Sequence, residues 1–255
     1  MNVLIVLAHP DGRSFNASLA RRAKAVFTAR GDAVRVSDLY RSEFDPCEGP
    51  RHFGARRDTR AFDVQSEQRF SWESGTLSSD VRLEIDNILW ADLVILQFPL
   101  WWFGPPAILK GWMDRVFVYG GLYTSARRHD RGVCRGKKAV LSVTAGSAEA
   151  SCAYDGREGD TKLILWPLLY ALRYVGFTVL DPSIIYGVHG GLRRGAERES
   201  RFAVAIERYA TLLQKIELVP AVPFNADSDW DENGKLKPGA IAYSPFIRHE
   251  ERLAL

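Results

Sequence analysis

Cysteine is scarce in this chain, methionine scarcer still, and no apolar run is long enough to span a bilayer. The three cysteines, Cys47, Cys134 and Cys152, are odd in number and lack metal-ligand spacing. That argues against a disulfide framework and for a reducing compartment. The five histidines, His9, His52, His129, His189 and His249, are equally scattered, so no metal site is expected. An excess of one charge is also missing. A formal net charge of +3 suits a small anionic ligand but is too weak and too dispersed to argue for nucleic acid. Met1-Asn2-Val3-Leu4 enters a strand directly, without a signal-peptide pattern, so a cytoplasmic protein with no stable membrane insertion is expected. There is no internal repeat, no GxGxxG and no GxxxxGKS/T, which disfavours the glycine-rich dinucleotide and nucleotide-triphosphatase readings.

What remains is an alternation of strand and helix patterns. The run Val3 to Ala8 is apolar throughout, as for a parallel strand buried on both faces. Ser14 can cap a helix carrying Phe15, Leu19, Ala23, Val26 and Phe27 on one face, with Gly31 closing it. Strands follow at 33–39, 93–98 and 138–144, and a fifth begins at Phe177 and resumes at Ser183 after Pro182. A helix entered through Pro105-Pro106 carries Ile108, Leu109, Trp112, Val116 and Phe117. Another covers about Thr161 to Tyr174, and the last places Phe202, Ala205, Ile206, Tyr209, Leu212 and Leu213 on one stripe. Five strands alternating with five helices imply a doubly wound parallel sheet of the α/β class. Residues 42–80 read as an unusually long polar connection containing Arg51, Arg56, Arg57 and Arg60. Residues 218–255 hold five prolines or glycines by Gly239 and read as an extended tail on the body or on a partner.

Three loops carry the candidate chemistry. The most informative is Gln97-Phe98-Pro99-Leu100-Trp101-Trp102-Phe103-Gly104, at the carboxyl end of a strand, where open α/β sheets bind ligands. Two indoles and a phenyl there suit a flat hydrophobic ligand with polar edges; the plainer alternative packs them under a neighbouring element. The loop Ala8-His9-Pro10-Asp11-Gly12-Arg13-Ser14 runs into a helix whose first amides have no internal partner, a ready phosphate site. Ser14 and Asn16 would add side-chain donors, Arg13 a charge and Gly12 the tight bend, although capping by Ser14 alone explains the pattern as well. The third loop, Thr144-Ala145-Gly146-Ser147-Ala148, is built of small residues that let a backbone approach a ligand. Ser147 as a hydrolase nucleophile lacks the GxSxG turn. A phosphate cradle, an aromatic platform and a small-residue floor at one sheet edge fit a flavin best.

The chain resembles the NAD(P)H:quinone oxidoreductases (the DT-diaphorase family). The resemblance rests on Val6-Leu7-Ala8-His9-Pro10 with Ser14-Phe15-Asn16-Ala17, on the 97–104 run, and on Ala107-Ile108-Leu109-Lys110-Gly111-Trp112. Lys137 to Thr144 and Ile164-Leu165-Trp166-Pro167 extend it over roughly residues 1–215. It implies a flavodoxin-like, five-stranded domain over 1–217 with a C-terminal extension at 218–255. It also implies bound FAD (FMN is the lesser alternative), NADH or NADPH as co-substrate, and a homodimer with its active sites at the interface.

Carried over by position, His9, Ser14, Phe15, Asn16 and Ala17 would hold the pyrophosphate and adenosine side of FAD. Pro99, Leu100, Trp101, Trp102 and Phe103 would line the ring and ribityl chain, with Thr144, Ala145, Gly146 and Ser147 beneath the ring edge. Trp101 stands where the family often has glutamine. Tyr123 would reach the partner's substrate pocket, and Ser125 replaces a second tyrosine expected there. The tyrosine and histidine that the family places after the fourth strand, to stabilise charge on the flavin, correspond here to Cys152 and Glu158. A carboxylate cannot donate a hydrogen bond unless protonated, a form that burial near a negative flavin would favour, and Tyr154 lies close enough to substitute. Glu158, Tyr154 and Tyr123 are therefore the candidate catalytic groups. The resulting expectation is a ping-pong NAD(P)H dehydrogenase acting on a quinone-like small molecule. The rivals are a flavodoxin-type electron carrier, a flavin-binding accessory subunit of an ion-efflux system and, more distantly, a hydrolase using Ser147.

Overall fold

Three mainly apolar runs become the centre of a parallel sheet because neither face of these strands meets water. They are β1 (Asn2–Leu7), β3 (Leu93–Pro99) and β4 (Lys138–Thr144), and β3 is buried along its whole length. The computed structural model describes residues 1–189 and 195–249. With β2 (Ala33–Asp38) and β5 (Thr178–Val179) the strand order is β2-β1-β3-β4-β5, the doubly wound arrangement expected. The fifth position is split around Asp181-Pro182. β5 pairs with Lys138 and Ala139, and β6 (Ser183–Ile185) pairs with Ser142 to Thr144 further along the same edge.

Helices α1 (Phe15–Ala29) and α6 (Ala196–Gln214) cover one face; α3 (Ser79–Trp90), α4 (Ala107–Val116) and α5 (Thr161–Tyr174) cover the other. Alternate residues of each strand feed the two cores: Leu4, Val6, Leu96 and Leu141 on the side of α3–α5, Val3, Ile5, Ile95 and Val140 on the side of α1 and α6. Each such aliphatic side chain, fully buried, contributes roughly 1.5–3 kcal/mol. Gly111 on α4 is required by packing, since a Cβ there would lie 2.1 Å from the Pro46 carbonyl oxygen.

The described residues hold six α-helices; α2 and α3 were not named from the sequence, and α2 corrects the reading of 42–80 as an irregular connection. Within that segment lies α2 (Val64–Ser74), capped by Asp63, which accepts from the Ser66 amide at 2.8 Å, and closed by left-handed Gly75. Its inward face is polar: Glu67, Gln68 and Ser71 are buried. Beyond α6 the chain crosses the body in extended form with only short 3-10 turns. Residues 250–255 of the expected tail lie outside the described residues. Pro220 and Val222 extend the β5 edge (Asp181 N–H to Pro220 O and Val222 N–H to Val179 O, both 2.8 Å). No described helix is long and apolar enough to cross a membrane.

Candidate active site

The strand register sets the site. Leu7, Gln97 and Ser142 lie side by side, and pairing continues through Ala8 N–H to Gln97 O (2.9 Å) and Leu100 N–H to Thr144 O (2.8 Å). The loops after β1, β3 and β4 therefore emerge level at one carboxyl edge, the side on which such sheets bind ligands.

The β3 loop is a two-residue turn closed by reciprocal bonds between Trp101 and Gly104 (2.9 and 3.0 Å). Its central residues, Trp102 and Phe103, both adopt left-handed backbone, φ +50° and +60°. Asn-Gly is the usual occupant of such turns, and each bulky residue there costs about 1–2 kcal/mol. Neither side chain is compensated by burial: Trp102 is 96% exposed and Phe103 54%. Trp101 is partly exposed, at 42%, its ring 5.9 Å from that of His9. The plainer alternative, aromatics packed beneath a neighbour, is not the arrangement found. Pro99 is buried and Leu100 packs on the core, so the loop has a fixed root and an exposed tip.

At the β1 loop Ser14 Oγ accepts from the Ala17 amide (3.1 Å) and caps α1. Among the described residues nothing accepts from the backbone N–H of Phe15 or Asn16, which leaves two donors at the positive end of the helix. Three details differ from the sequence expectation. Arg13 is engaged by Asp11 (3.2 and 3.3 Å), whose carboxyl it holds below the usual range. Gly12 adopts no left-handed conformation and has open space around its Cα, so the backbone does not demand glycine there. Asn16 turns its side chain inward, onto Gln97 and Thr144 (2.9 Å each). His9 Nδ1 accepts from the Asp11 amide, Phe15 stacks on Phe202 of α6 (4.3 Å), and Ala17 is buried.

After β4, Thr144 and Ala145 are buried while Gly146 is exposed. Gly146 and Ser147 open onto a cavity of about 860 Å³ between this loop, β6 and α6. Arg201 and Arg208 line it and have no carboxylate partner among the described residues. These two arginines were missed in the sequence, where α6 reads as an ordinary amphipathic helix. The loop then runs through a 3-10 turn at Glu149–Cys152. Cys152 is buried and Tyr154 is 85% exposed. Glu158 is half-buried; its carboxylate lies 3.4 Å from Arg157 Nε and its amide donates to Ser151 O at 2.9 Å. Gly156 is fixed by close approach, since a Cβ would meet Ser151 O at 2.3 Å.

Tyr123 lies apart from these loops, on the segment after α4. Its hydroxyl accepts from Gln65 Nε2 of α2 (3.2 Å), and its ring packs edge-on against Tyr119 and Tyr174 (5.4 and 5.5 Å). Burial raises its pKa, and the Gln65 bond offsets only part of that. Among the described residues no cluster of His, Cys, Asp or Glu could hold a metal ion.

A family model described as flavodoxin-like fold matches residues 1–213. NAD(P)H dehydrogenase (quinone) 1 of Cavia porcellus is 42% identical over 187 residues, 72% of this chain and 68% of the relative. Ribosyldihydronicotinamide dehydrogenase (quinone) of Homo sapiens is 37% identical over 212 residues, 82% of this chain and 91% of its own. A solved structure of a candidate quinone reductase from Klebsiella pneumoniae superposes with a TM-score of 0.85 at 33% identity, covering 93% of this chain and 94% of that one. With the level loops and the exposed aromatic tip, these matches place the chain in the flavodoxin-like fold family and, within it, in the family of the NAD(P)H dehydrogenases (quinone).

Proposed function

We propose that this protein is an FAD-dependent oxidoreductase that takes hydride from NADH or NADPH and passes two electrons to a quinone or similar aromatic acceptor, as a homodimer. The observation that carries the reading is Trp102 and Phe103, held in strained backbone and exposed at the sheet edge that also presents the free amides of Phe15 and Asn16. Strain of this kind persists where a ligand-binding shape is the benefit.

The residues present fit the group. Trp102 and Phe103, rooted on Pro99 and Leu100, offer an apolar wall to a flat ring, and Gly146 is exposed at the same sheet edge. The amides of Phe15 and Asn16, with the Ser14 hydroxyl, offer donors to phosphate oxygens. A mononucleotide would end there. The further cavity with Arg201 and Arg208 has the volume and charge for an adenylate, which favours FAD over FMN. Bound in this cleft, FAD would supply two-electron chemistry, taking hydride at N5 and surrendering both electrons to the acceptor that follows in the same space. The protein would contribute orientation and electrostatics. Trp102 and Phe103 would shield one ring face from water, and Tyr154, or Glu158 in its protonated form, would place a proton donor near the ring edge. Tyr123 would border the partner's substrate space.

Purified protein should be yellow and release FAD on denaturation, bleach anaerobically with NADH or NADPH, and give parallel double-reciprocal lines with a quinone. It should sediment as a dimer at assay concentration. Colourless protein that cannot be reconstituted with flavin would overturn the reading. Glu158→His should speed flavin reduction in stopped flow, by up to about a hundredfold if a fixed donor is otherwise missing. An unchanged rate would assign that role to Tyr154 or a backbone amide.

A further inference from the structure

The face of the sheet under α1 and α6 is apolar from Val3 to Ile95 and then turns polar at its carboxyl end. Gln97, Ser142, Thr144 and Asn16 meet there, all 3% exposed or less. Three bonds join them. Gln97 Nε2 donates to the Ser142 carbonyl (3.1 Å) and to Asn16 Oδ1 (2.9 Å), and Asn16 Nδ2 donates to Thr144 Oγ1 (2.9 Å).

The direction of this chain is not a free choice of amide rotamer. A backbone carbonyl only accepts, so the Gln97 atom facing Ser142 O must be the amide nitrogen. Its second hydrogen then fixes oxygen as the Asn16 atom that faces it. That leaves the Asn16 nitrogen opposite Thr144 and makes Thr144 Oγ1 an acceptor. The hydroxyl hydrogen of Thr144 is thereby excluded from the network, and among the described residues nothing accepts it. Rotating Gln97 would aim carbonyl at carbonyl.

The geometry points to Gln97 and Asn16 as positioning residues that lock the Thr144 hydroxyl as a hydrogen-bond donor to an acceptor atom of the cofactor. This rests on the flavin reading above and adds to it a residue, Gln97, that touches no ligand. The same three bonds tie the roots of all three loops together, since Asn16 belongs to α1, Gln97 to β3 and Thr144 to the end of β4. Gln97 Oε1 has no partner among the described residues, but the two amides are otherwise directed, and a buried amide pair of this sort specifies one arrangement where an apolar pair would tolerate several.

The polarity can be reversed with one nearly isosteric change. In Asn16→Asp the carboxylate still accepts from Gln97, but it now accepts from Thr144 as well and turns the hydroxyl hydrogen inward. Thr144→Val removes the hydroxyl at constant shape, and Thr144→Ser keeps it. FAD titrated into the apo forms, followed by flavin fluorescence, should bind Asn16→Asp and Thr144→Val about tenfold more weakly than wild type, the factor one ordinary hydrogen bond is worth. Thr144→Ser should stay close to wild type. The double variant should be no weaker than either single one, because both remove the same donor. A Thr144→Val constant within twofold of wild type, or additive losses in the double variant, would overturn the inference while leaving the flavin reading intact. Failure of wild type to bind FAD would instead overturn the reading on which it rests. Should Asn16→Asp fail to fold, the Thr144→Val and Thr144→Ser pair decides alone.

Discussion

Trp102 shows how a single residue separates fold from function. At φ +50° and 96% exposure it destabilises the folded chain through its backbone and gains little from its side chain. Trp102→Gly should relieve about 1–2 kcal/mol of conformational strain, of which glycine's greater freedom in the unfolded chain takes back about 0.5–1. Apo protein should therefore melt at the same temperature or slightly higher, while FAD retention falls sharply. Calorimetry of apo and holo forms checks this. A loss of about 3–5 kcal/mol in the apo form, as for a core aromatic, would show that the indole serves packing instead. This residue's exposure was legible in the sequence, because three aromatics between a buried strand and a helix exceed what a core needs. Gln97 was not. It sits inside an otherwise apolar run, where position and neighbours gave no hint of a buried amide relay. Asn16 was legible as part of the site, but the direction of its side chain was not, because that depends on partners 81 and 128 residues away.

At the scale of elements, β1, β3 and β4 were legible for a simple reason: strands buried on both faces are apolar at nearly every position. Helix α2 was hidden for the converse reason. Its inward face is Glu67, Gln68 and Ser71, so no apolar stripe marks it, and only the flanking Asp63 and Gly75 betray its ends. What Glu67 does there is local. Burial pushes its carboxyl up, but the Arg57 and Asp58 amides (2.8 and 3.2 Å) and the Arg56 guanidinium (3.4 Å) more than offset this and hold it below the usual range. A helix is thus pinned to the preceding loop by one carboxylate. Glu67→Ala should cost about 1–3 kcal/mol, the penalty for orphaning such donors. It should lower the urea midpoint at constant slope and expose 56–61 to proteolysis before the rest of the chain. Unchanged protection of that loop would mean its own contacts suffice.

The whole molecule is closed by its C-terminal strap, and the contacts converge on Asp130. Its carboxylate accepts from Arg173 of α5 and from the Asp227 amide of the strap (2.5 Å for the latter), with Arg131 near Asp227 (3.5 Å). On either side aromatic rings carry the strap: Phe224 lies against Tyr170 (5.9 Å) and Phe246 against Trp166 (5.1 Å). Burial pushes the Asp130 carboxyl up, but its bonds to the Asp227 amide and to Arg173 outweigh that and hold it below the ordinary value. A carboxyl depressed in the folded state contributes stability above its unfolded value, about 3.9, and loses it as pH falls through the folded one. The strap should therefore loosen in acid, below about pH 4, and not at neutral pH. Asp130→Asn should release it at pH 7: faster hydrogen exchange over 220–249, a red shift in tryptophan emission as Trp166 loses Phe246, and no acid step from this group. Flavin retention should change little, because the strap lies on α5 and the ring wall lies on the β3 loop. Equal exchange protection in wild type and Asp130→Asn at pH 7 would assign the strap's attachment to its aromatic contacts alone.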